Sequence, residues 1–244
     1  MPIKPPQDLH SWHVTPTEAV TVQRMLRDQV VIQPLPENIA LIAGADISYN
    51  KFSEVLYAAI VVLRLPTLEV VETVSVVSAA KFPYVPGLLS FREAPSVLEA
   101  FAKLSMRPDV MMLDGHGIAH PRRFGVASHI GLWTGVPTIG CGKTLLIGDY
   151  DQPDENAGAF SPLTHKGDII GGVLRTKDRT NPVFISPGHM ADLPTALALA
   201  MRCVRKHDKG AAAGASKYRI PEPTRLAHLC VNATRRGETF TPPH

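Results

Sequence analysis

The stretch that most constrains the fold is residues 109–120, D-V-M-M-L-D-G-H-G-I-A-H. Its apolar run, Val110–Leu113, is long enough for a buried strand and too short for a helix, and it ends in Asp114 followed by Gly115. In an open α/β sheet, ligands bind just beyond the carboxyl ends of the strands, where glycine allows a close approach. Taken alone, the pattern equally suits a strand that runs into a tight turn capped by Asp114. A second carboxylate, Asp46, and the order of the elements favour the functional interpretation.

The composition is that of a globular chain and excludes several classes of protein. Of the 244 residues, 45% are hydrophobic and 19% are charged, which is too apolar for a disordered chain. The 25 basic and 22 acidic residues nearly balance, so the charge permits a nucleic-acid partner without requiring one. The three cysteines are scattered, which fits a reducing compartment and gives no metal-site spacing. Because we find no secretion signal, no apolar run of ~18 residues and no sign of an obligate dimer, we expect a cytoplasmic monomer with no membrane partner.

The elements around the 109–120 stretch predict a mixed sheet. Residues 39–49, 56–65 and 70–77 form three apolar strands with short connections, a pattern typical of an antiparallel meander. The elements that follow are a helix at 95–104, the 110–114 strand, a helix at 123–133 and a strand at 137–141.

This order predicts where the two carboxylates lie. A strand that follows a crossover helix usually joins the same sheet in parallel, through a right-handed connection. The open position is beside the first strand of the meander, so Asp46 and Asp114 should lie side by side. We therefore predict an α/β, ribonuclease-H-like fold. Its central mixed sheet combines an antiparallel three-strand meander with parallel strands and is flanked by helices.

The rest of the chain adds elements without dividing it, so we predict a single domain over residues 1–244. Two polar or low-complexity stretches, 149–168 and 206–217, are interpreted as surface loops. The further elements are a helix from Pro16 that ends near Pro34, a hairpin of 169–175 with 183–186, a helix at 193–204 and a last helix from about residue 223.

The two carboxylates on neighbouring strands are the strongest indication of function. Aspartate is depleted in apolar strands, and a buried charge is costly unless it is paired or bound to a cation. Adjacent carboxylates repel each other, which raises a pKa or calls for a cation between them. Hard oxygen ligands without a nearby Cys or His pair favour Mg²⁺, with Mn²⁺ as a substitute, over Zn²⁺. The alternative is that Asp46 turns to the surface at the end of its strand.

Glu93 has two interpretations. Ser90-Phe91-Arg92-Glu93 has the spacing of a capping box, with Glu93 as the cap partner. Pro95 would then occupy the fifth helical position, where its missing N–H breaks a hydrogen bond. We therefore favour a helix that starts at Pro95 and leaves the carboxylate of Glu93 free.

Other polar side chains could contact a ligand. Lys143 does not belong to a phosphate-binding P-loop, because the first glycine of that motif would fall at Pro137; it is either a solvated lysine or a phosphate ligand. Tyr84 lies in P-Y-V-P, where prolines stiffen the loop, and its ring can pack on the core or act as a wedge or stacking platform for a base. Four histidines are each more often core or surface residues than ligands: His116, His120, His189 and His228.

Several long motifs resemble the endonuclease V family, the nucleases that repair deaminated bases. They are A-G-A-D-I-S-Y, F-P-Y-V-P-G-L-L-S-F-R-E-A-P, D-G-H-G-I-A-H-P-R-R-F-G-V-A-S-H, I-S-P-G-H and R-I-P-E-P-T-R-L-A-H. The match extends from the N-terminal helix to His228, nearly the whole chain. The resemblance implies a ribonuclease-H-like fold and Mg²⁺-dependent cleavage of DNA. The cut would fall at the second phosphodiester bond 3′ to a deaminated base, chiefly hypoxanthine.

The resemblance also implies roles for individual residues. The metal ligands would be Asp46, Asp114 and Glu93, joined in catalysis by His228 and Lys143. The wedge that fills the gap left by the displaced base would be Tyr84, with Pro83, Val85 and Pro86. The base pocket would contain Leu89, Gly115, His120, Gly125 and Leu146. The chain departs from the family pattern at His116, where well-studied members have Gln.

Three functions compete at this point. The first is a DNA repair endonuclease, and the second is the same chemistry directed at inosine in RNA, which a protein distinguishes through the 2′-OH. The third is a nucleic-acid-binding module without catalytic activity. Asp46, Glu93 and Asp114 together disfavour this module, because clustered carboxylates repel phosphate.

Overall fold

The predicted antiparallel meander forms one half of a central sheet. In the computed structural model, which describes residues 8–51, 53–207 and 214–243, its strands are β1 (Leu41–Ser48), β2 (Val55–Arg64) and β3 (Glu69–Ala79). β1 pairs with β2 and β2 with β3, both antiparallel. Each predicted boundary lies within two residues of the observed one.

Parallel strands extend this sheet from β1. Strand β4 (Val110–Leu113) lies parallel to β1, and β5 (Thr138–Gly142) lies parallel to β4. The remaining strands are β6 (Phe160–His165), β7 (Asp168–Leu174) and β8 (Val183–His189), each antiparallel to its neighbour. The order across the eight strands is β3-β2-β1-β4-β5-β8-β7-β6, which confirms the predicted mixed sheet.

Helices cover both faces of the sheet. Alternate residues of β1 and β4 face opposite sides, so Ile42 and Met112 contribute to one core and Ala43 and Met111 to the other. The first core is closed by α4 (Leu193–Arg202) and α5 (Glu222–Arg235), and the second by α2 (Leu89–Ala102) and α3 (Val126–Thr134). Helix α1 (Pro16–Arg27) packs through Ala19 on Phe82, Leu88 and Phe91. Within the described residues, no helix has the length and apolar character needed to cross a membrane.

Two predicted elements were wrong, and a third lies partly outside the described residues. The 149–168 stretch is not all loop, because Phe160–His165 forms an edge strand with Leu163 buried and Pro162 within it, a residue that obscures the strand pattern. Helix α1 ends at Arg27, well before Pro34. Residues 208–213 of the predicted 206–217 loop lie outside the described residues, and Lys206 and Ser216 form a single antiparallel bridge.

The start of α2 was also predicted wrongly. The helix begins at Leu89 and contains Pro95, so Glu93 is a helical residue and neither a cap partner nor a residue in front of the helix. A proline inside a helix removes one hydrogen bond, which costs ~3 kcal/mol. Buried side chains of this helix, including Phe91, Val97 and Phe101, offset that loss by packing on the sheet and on α1.

Gly44 allows α5 to approach the sheet closely. It lies between Ile42 and Asp46 on the same face of β1, and a Cβ atom there would lie 1.8 Å from the carbonyl oxygen of Pro223. No side chain fits that space without moving backbone. Gly44 therefore sets the distance between β1 and α5, the helix that carries His228.

We expect Gly44→Ala to lower the free energy of unfolding by about 3 kcal/mol, because the added methyl group collides with backbone. Thermal or urea denaturation measures this change. Gly158→Ala is the comparison, since a Cβ there meets nothing within 4 Å and only its φ of +94° opposes the change, at a cost of ~1–2 kcal/mol. Equal losses in the two variants would contradict the proposed contact.

Candidate active site

The register of β1 and β4 brings Asp46 and Asp114 together. Ala45 pairs with Leu113, so the two aspartates are the next residues on adjacent parallel strands, and the Asp114 N–H donates to the Ala45 carbonyl at 3.0 Å. Asp46 is buried, and its Oδ1 accepts a hydrogen bond from the Ile47 N–H at 2.8 Å. The side-by-side placement predicted from the element order is confirmed, and the alternative that Asp46 turns to the surface was wrong.

Helix α5 adds His228 to this pair. Its Nδ1 lies 2.8 Å from Oδ2 of Asp46. Asp46, Asp114 and His228 each offer one ligand atom, and these atoms all lie within 4.8 Å of one another. His228 is half exposed, and its Nε2 lies 3.2 Å from Nδ2 of Asn232.

Glu93 faces the same carboxylates from α2. Burial first, and then the charges of Asp46 and Asp114, raise its pKa to about 8, although Arg92 opposes the shift. The pKa of Asp114 is also raised, first by burial and then by Asp46, while Lys143 and His228 oppose the shift. Ionising all three carboxyl groups in this largely buried site is therefore unfavourable without a nearby positive charge.

The residues at this site fit a divalent cation. Lys143 donates a hydrogen bond to Oδ2 of Asp114, and among the described residues this is the one lysine ion pair at the carboxylates. One ammonium group leaves the repulsion among three carboxylates only partly offset, as the raised pKa values of Glu93 and Asp114 indicate. A cation held by oxygen ligands relieves that repulsion, and carboxylate oxygens suit Mg²⁺ or Mn²⁺.

A cavity of about 520 Å³ adjoins the carboxylates. Glu93, Asp114 and Lys143 lie on its wall, so any group held in the cavity is next to the candidate metal site. Its volume is in the range of small-molecule sites. All five residues predicted for the base pocket line it: Leu89, Gly115, His120, Gly125 and Leu146.

The predicted wedge lies at the mouth of this cavity. Tyr84 is 62% exposed, so its ring is available to a ligand rather than packed in the core. Tyr84, Val85 and Pro86 line the cavity, whereas Pro83 is not among the lining residues. Arg92 supports the loop, because its guanidinium donates to the Phe82 carbonyl and to the Ser53 carbonyl, each at 2.9 Å.

Sequence reasoning missed two of the three residues that hold the Gly87 carbonyl, Gln23 and Arg122. Three side chains donate to this oxygen: Gln23 at 3.1 Å, His120 at 3.0 Å, and Arg122. Gln23 also donates to the Phe124 carbonyl and accepts from Nε of Arg122. The signal in the sequence was a glutamine among the buried apolar positions of α1, where an unpaired amide would be costly.

His116 forms part of the cavity wall. Its ring packs against Gly142, where a Cβ atom would lie 2.4 Å from Cε1 of the ring. Burial lowers the pKa of His116, which favours the neutral ring. Among the described residues, its Nδ1 has no hydrogen-bond partner. The position where this chain departs from the family pattern therefore lies on the cavity wall.

His129 supports the cavity from behind. Its Nδ1 lies 3.0 Å from Oγ of Ser90, a cavity residue, and its Nε2 lies 2.7 Å from Nε2 of His10. The rings of Trp12 and Trp133 stack on each other; Trp12 also lies against His129, and Trp133 against His10. Burial lowers the pKa of His129 well below its usual 6.5, and His10 adds to the shift. The folded protein therefore holds His129 neutral.

This burial predicts a pH dependence of stability. The unfolded chain binds a proton at His129 near pH 6.5, whereas the folded chain does not, so stability is fully present above pH 6.5 and falls as the pH decreases. Between about pH 6 and 5, His129→Asn should reduce the slope of unfolding free energy against pH by ~1.4 kcal/mol per unit. His13→Asn, at an exposed position, is the control. An unchanged slope in His129→Asn would refute the assignment.

A protein-family model and a known relative both match most of this chain. The family model described as Endonuclease V matches residues 24–229. The endonuclease V of Myxococcus xanthus is 46% identical over 232 residues, which covers 95% of this chain and 94% of the relative.

Solved structures give the same match. The crystal structure of endonuclease V from Streptomyces avermitilis is 40% identical, with a TM-score of 0.83, over 93% of this chain and 96% of that one. A Ciona intestinalis endonuclease V with one substitution, in complex with a 23mer DNA containing an inosine followed by a ribo-adenosine, is 25% identical with a TM-score of 0.77, over 92% and 99% of the chains. The chain belongs to the endonuclease V family.

Proposed function

We propose that this protein is an Mg²⁺-dependent DNA repair endonuclease that nicks DNA at the second phosphodiester bond 3′ to a deaminated base, chiefly hypoxanthine. The observation that supports this most directly is that a cavity large enough to hold a base adjoins the group formed by Asp46, Asp114 and His228, with Glu93 on the cavity wall. Membership of the family makes the protein a nuclease that hydrolyses phosphodiester bonds. The Ciona intestinalis relative, crystallised with inosine-containing DNA, supports the choice of substrate.

In this proposal, Asp46, Asp114 and Glu93 hold the cation. Bound there, it supplies positive charge that stabilises the phosphate and activates water. His228 has Nδ1 committed to Asp46, so Nε2 is the atom that would accept or donate a proton near the attacked phosphate, once it is released from its 3.2 Å contact with Nδ2 of Asn232. Lys143, held on Asp114 at the cavity wall, would pair with a phosphate oxygen of the scissile group.

Base recognition is assigned to the cavity. Leu89 and Leu146 supply apolar surface, and Gly115 and Gly125 contribute backbone to the cavity wall. His120 donates through Nε2 to Gly87 and accepts the Arg122 N–H at Nδ1, so its ring orientation is fixed. Tyr84 would fill the gap left in the duplex by the displaced base. A deaminated base is easier to unpair, which contributes selectivity.

The remaining expectations stay predictions. We propose that residues 1–244 act as one domain, since one continuous sheet connects the described strands. The monomeric state, the cytoplasmic location and the use of Mn²⁺ in place of Mg²⁺ are predicted from the sequence alone.

The first test is a nicking assay on a labelled duplex with one deoxyinosine, in Mg²⁺ or in EDTA. The matching inosine-containing RNA and an undamaged duplex serve as comparisons. We expect a metal-dependent nick one nucleotide beyond the lesion in the DNA only. Cutting of the RNA alone would assign the protein to RNA metabolism. Binding of both without cutting would support the nucleic-acid-binding module.

Asp114→Asn should separate cutting from binding. We expect nicking to fall by on the order of 10³-fold or more, because one carboxylate of the metal site is lost. The affinity for the inosine-containing duplex should be unchanged or higher, because a negative charge near phosphate is removed. Single-turnover nicking and fluorescence anisotropy measure the two effects. Normal nicking by this variant would overturn the metal assignment.

Gln23→Leu tests whether Gln23 holds the Gly87 carbonyl in place at the cavity wall. The substitution leaves the Phe124 carbonyl and Nε of Arg122 without their partner, and removes one donor to Gly87. We expect a loss of about 1–3 kcal/mol in stability and a higher KM for the inosine-containing duplex. Gln29→Leu, at an exposed position just after α1, is the control. Equal KM values in the two variants would show that the Gly87 carbonyl does not depend on Gln23.

A further inference from the structure

We propose that the carboxyl end of α5 forms a phosphate-binding subsite, centred on Arg235, for the DNA strand on the 3′ side of the cut. This inference rests on the proposed function. The subsite consists of Asn50, Asn232 and Arg235, and its two helical residues lie beyond His228, outside the stretch matched by the family model.

Asn232 and Arg235 lie on the same face of α5 as His228, farther along the helix from the candidate metal site. His228, Asn232 and Arg235 are spaced four and three residues apart, so they share a helical face. Asn232 donates to the His228 carbonyl at 2.8 Å, and its Oδ1 accepts from Oγ of Ser48 at 3.1 Å. The same Oδ1 accepts from Nη2 of Arg235 at 3.1 Å. A series of hydrogen bonds thus extends from His228, which contacts Asp46, through Asn232 to the guanidinium of Arg235.

The guanidinium of Arg235 is held in place but not neutralised. Its Nη1 donates to Oδ1 of Asn50 at 2.7 Å, and its other contacts are to the amide oxygen of Asn232. Over residues 8–51, 53–207 and 214–243, Arg235 forms no ion pair with a carboxylate. A fixed, partly exposed guanidinium with a full charge and a planar set of donors suits a phosphate.

The order of strands places this subsite on the path of the substrate. Four parts of the proposed substrate path lie along the carboxyl edge of the sheet, at the ends of adjacent strands. The loop after β5 lines the cavity, Asp114 follows β4, Asp46 lies on β1, and Asn50 follows β1 on the side of β2. A strand with its base in the cavity and a phosphate at the carboxylates therefore continues over Asn50 and α5.

The cleavage position gives the direction of this strand. In the proposed reaction the cut phosphate is 3′ to the base, so the chain runs 3′ as it passes from the cavity to α5. The helical spacing between His228 and Arg235 corresponds to about 10 Å, at a rise of ~1.5 Å per residue. At an axial rise of ~3.4 Å per nucleotide, Arg235 would contact a phosphate roughly three nucleotides beyond the cut.

Arg236 provides a matched control. It is the next residue, is exposed, and forms an ion pair with Glu238 at 2.7 Å. Its charge is therefore already paired, and it lies one position away from the face that carries His228 and Arg235. Loss of Arg236 should not change contacts with the substrate.

The experiment compares Arg235→Gln, Arg235→Lys and Arg236→Gln with the unchanged protein. DNA affinity is measured against salt by anisotropy, and KM and kcat by nicking of the deoxyinosine duplex. We expect Arg235→Gln to lose one phosphate contact, so the ratio of wild-type to variant affinity should fall by about 3.5-fold between about 50 and 200 mM salt. KM should rise with kcat unchanged. Arg235→Lys should keep the salt dependence of the wild type, and Arg236→Gln should behave as wild type.

A second substrate distinguishes the loss of a phosphate contact from a general structural defect in Arg235→Gln. A duplex that ends one nucleotide beyond the cut lacks the proposed phosphate, so wild type and Arg235→Gln should have equal KM values on it. A salt dependence of Arg235→Gln identical to wild type would overturn the subsite, as would an equal KM defect on the long and short duplexes. If wild type itself failed to nick deoxyinosine DNA, the proposed function would fail, a result distinct from either of these.

Discussion

The parallel pairing of β1 with β4 is the constraint on which the site depends. It fixes Asp46 and Asp114 on adjacent strands, about 4.8 Å apart in the hydrogen-bonding direction. The backbone, and not the side chains, thus forces two carboxylates together. Lys143 and His228 lie against them from other elements, and burial with mutual repulsion raises the pKa of Asp114. The rest of the sheet holds these candidate metal ligands together against the repulsion.

The two faces of the sheet contribute different parts of the site. Helices α2 and α3, with the loop after β5, surround the cavity, whereas α5 on the opposite face supplies His228. The carboxylates lie at the edge where these two layers meet. A substrate can therefore contact both layers at once while its reactive phosphate remains over the ends of the central strands. Such an arrangement agrees with the general position of ligands in open α/β sheets.

Topology and the carboxylate pair could be predicted because both follow from local pattern. Apolar runs, short connections and a crossover helix sufficed to place Asp46 beside Asp114. The start of α2 could not be predicted, because Pro95 argues against a helix locally and tertiary packing of Phe91 and Phe101 decides otherwise. Strand β6 was missed for a similar reason, since pairing with β7 compensates for a weak and proline-containing pattern.

The network at Gly87 was beyond sequence reasoning of this kind. Gln23 and Arg122 are separated by 99 residues and meet at one carbonyl oxygen. The position of Gln23 among the apolar residues of α1 indicates a buried amide, but no periodicity connects it to Arg122. The wedge loop and the cavity, by contrast, were identified from the family motifs, and the roles of their residues remain a proposal.

The contact between His228 and Asp46 has a consequence for the order in which the protein matures during synthesis. The two residues are 182 positions apart, so a ribosome completes β1 and the whole meander long before α5 exists. A chain synthesised only as far as β8 contains both aspartates, but it lacks His228 and the helix that packs over Gly44. The group of Asp46, Asp114 and His228 is therefore complete only after the last helix has been synthesised and has packed on β1.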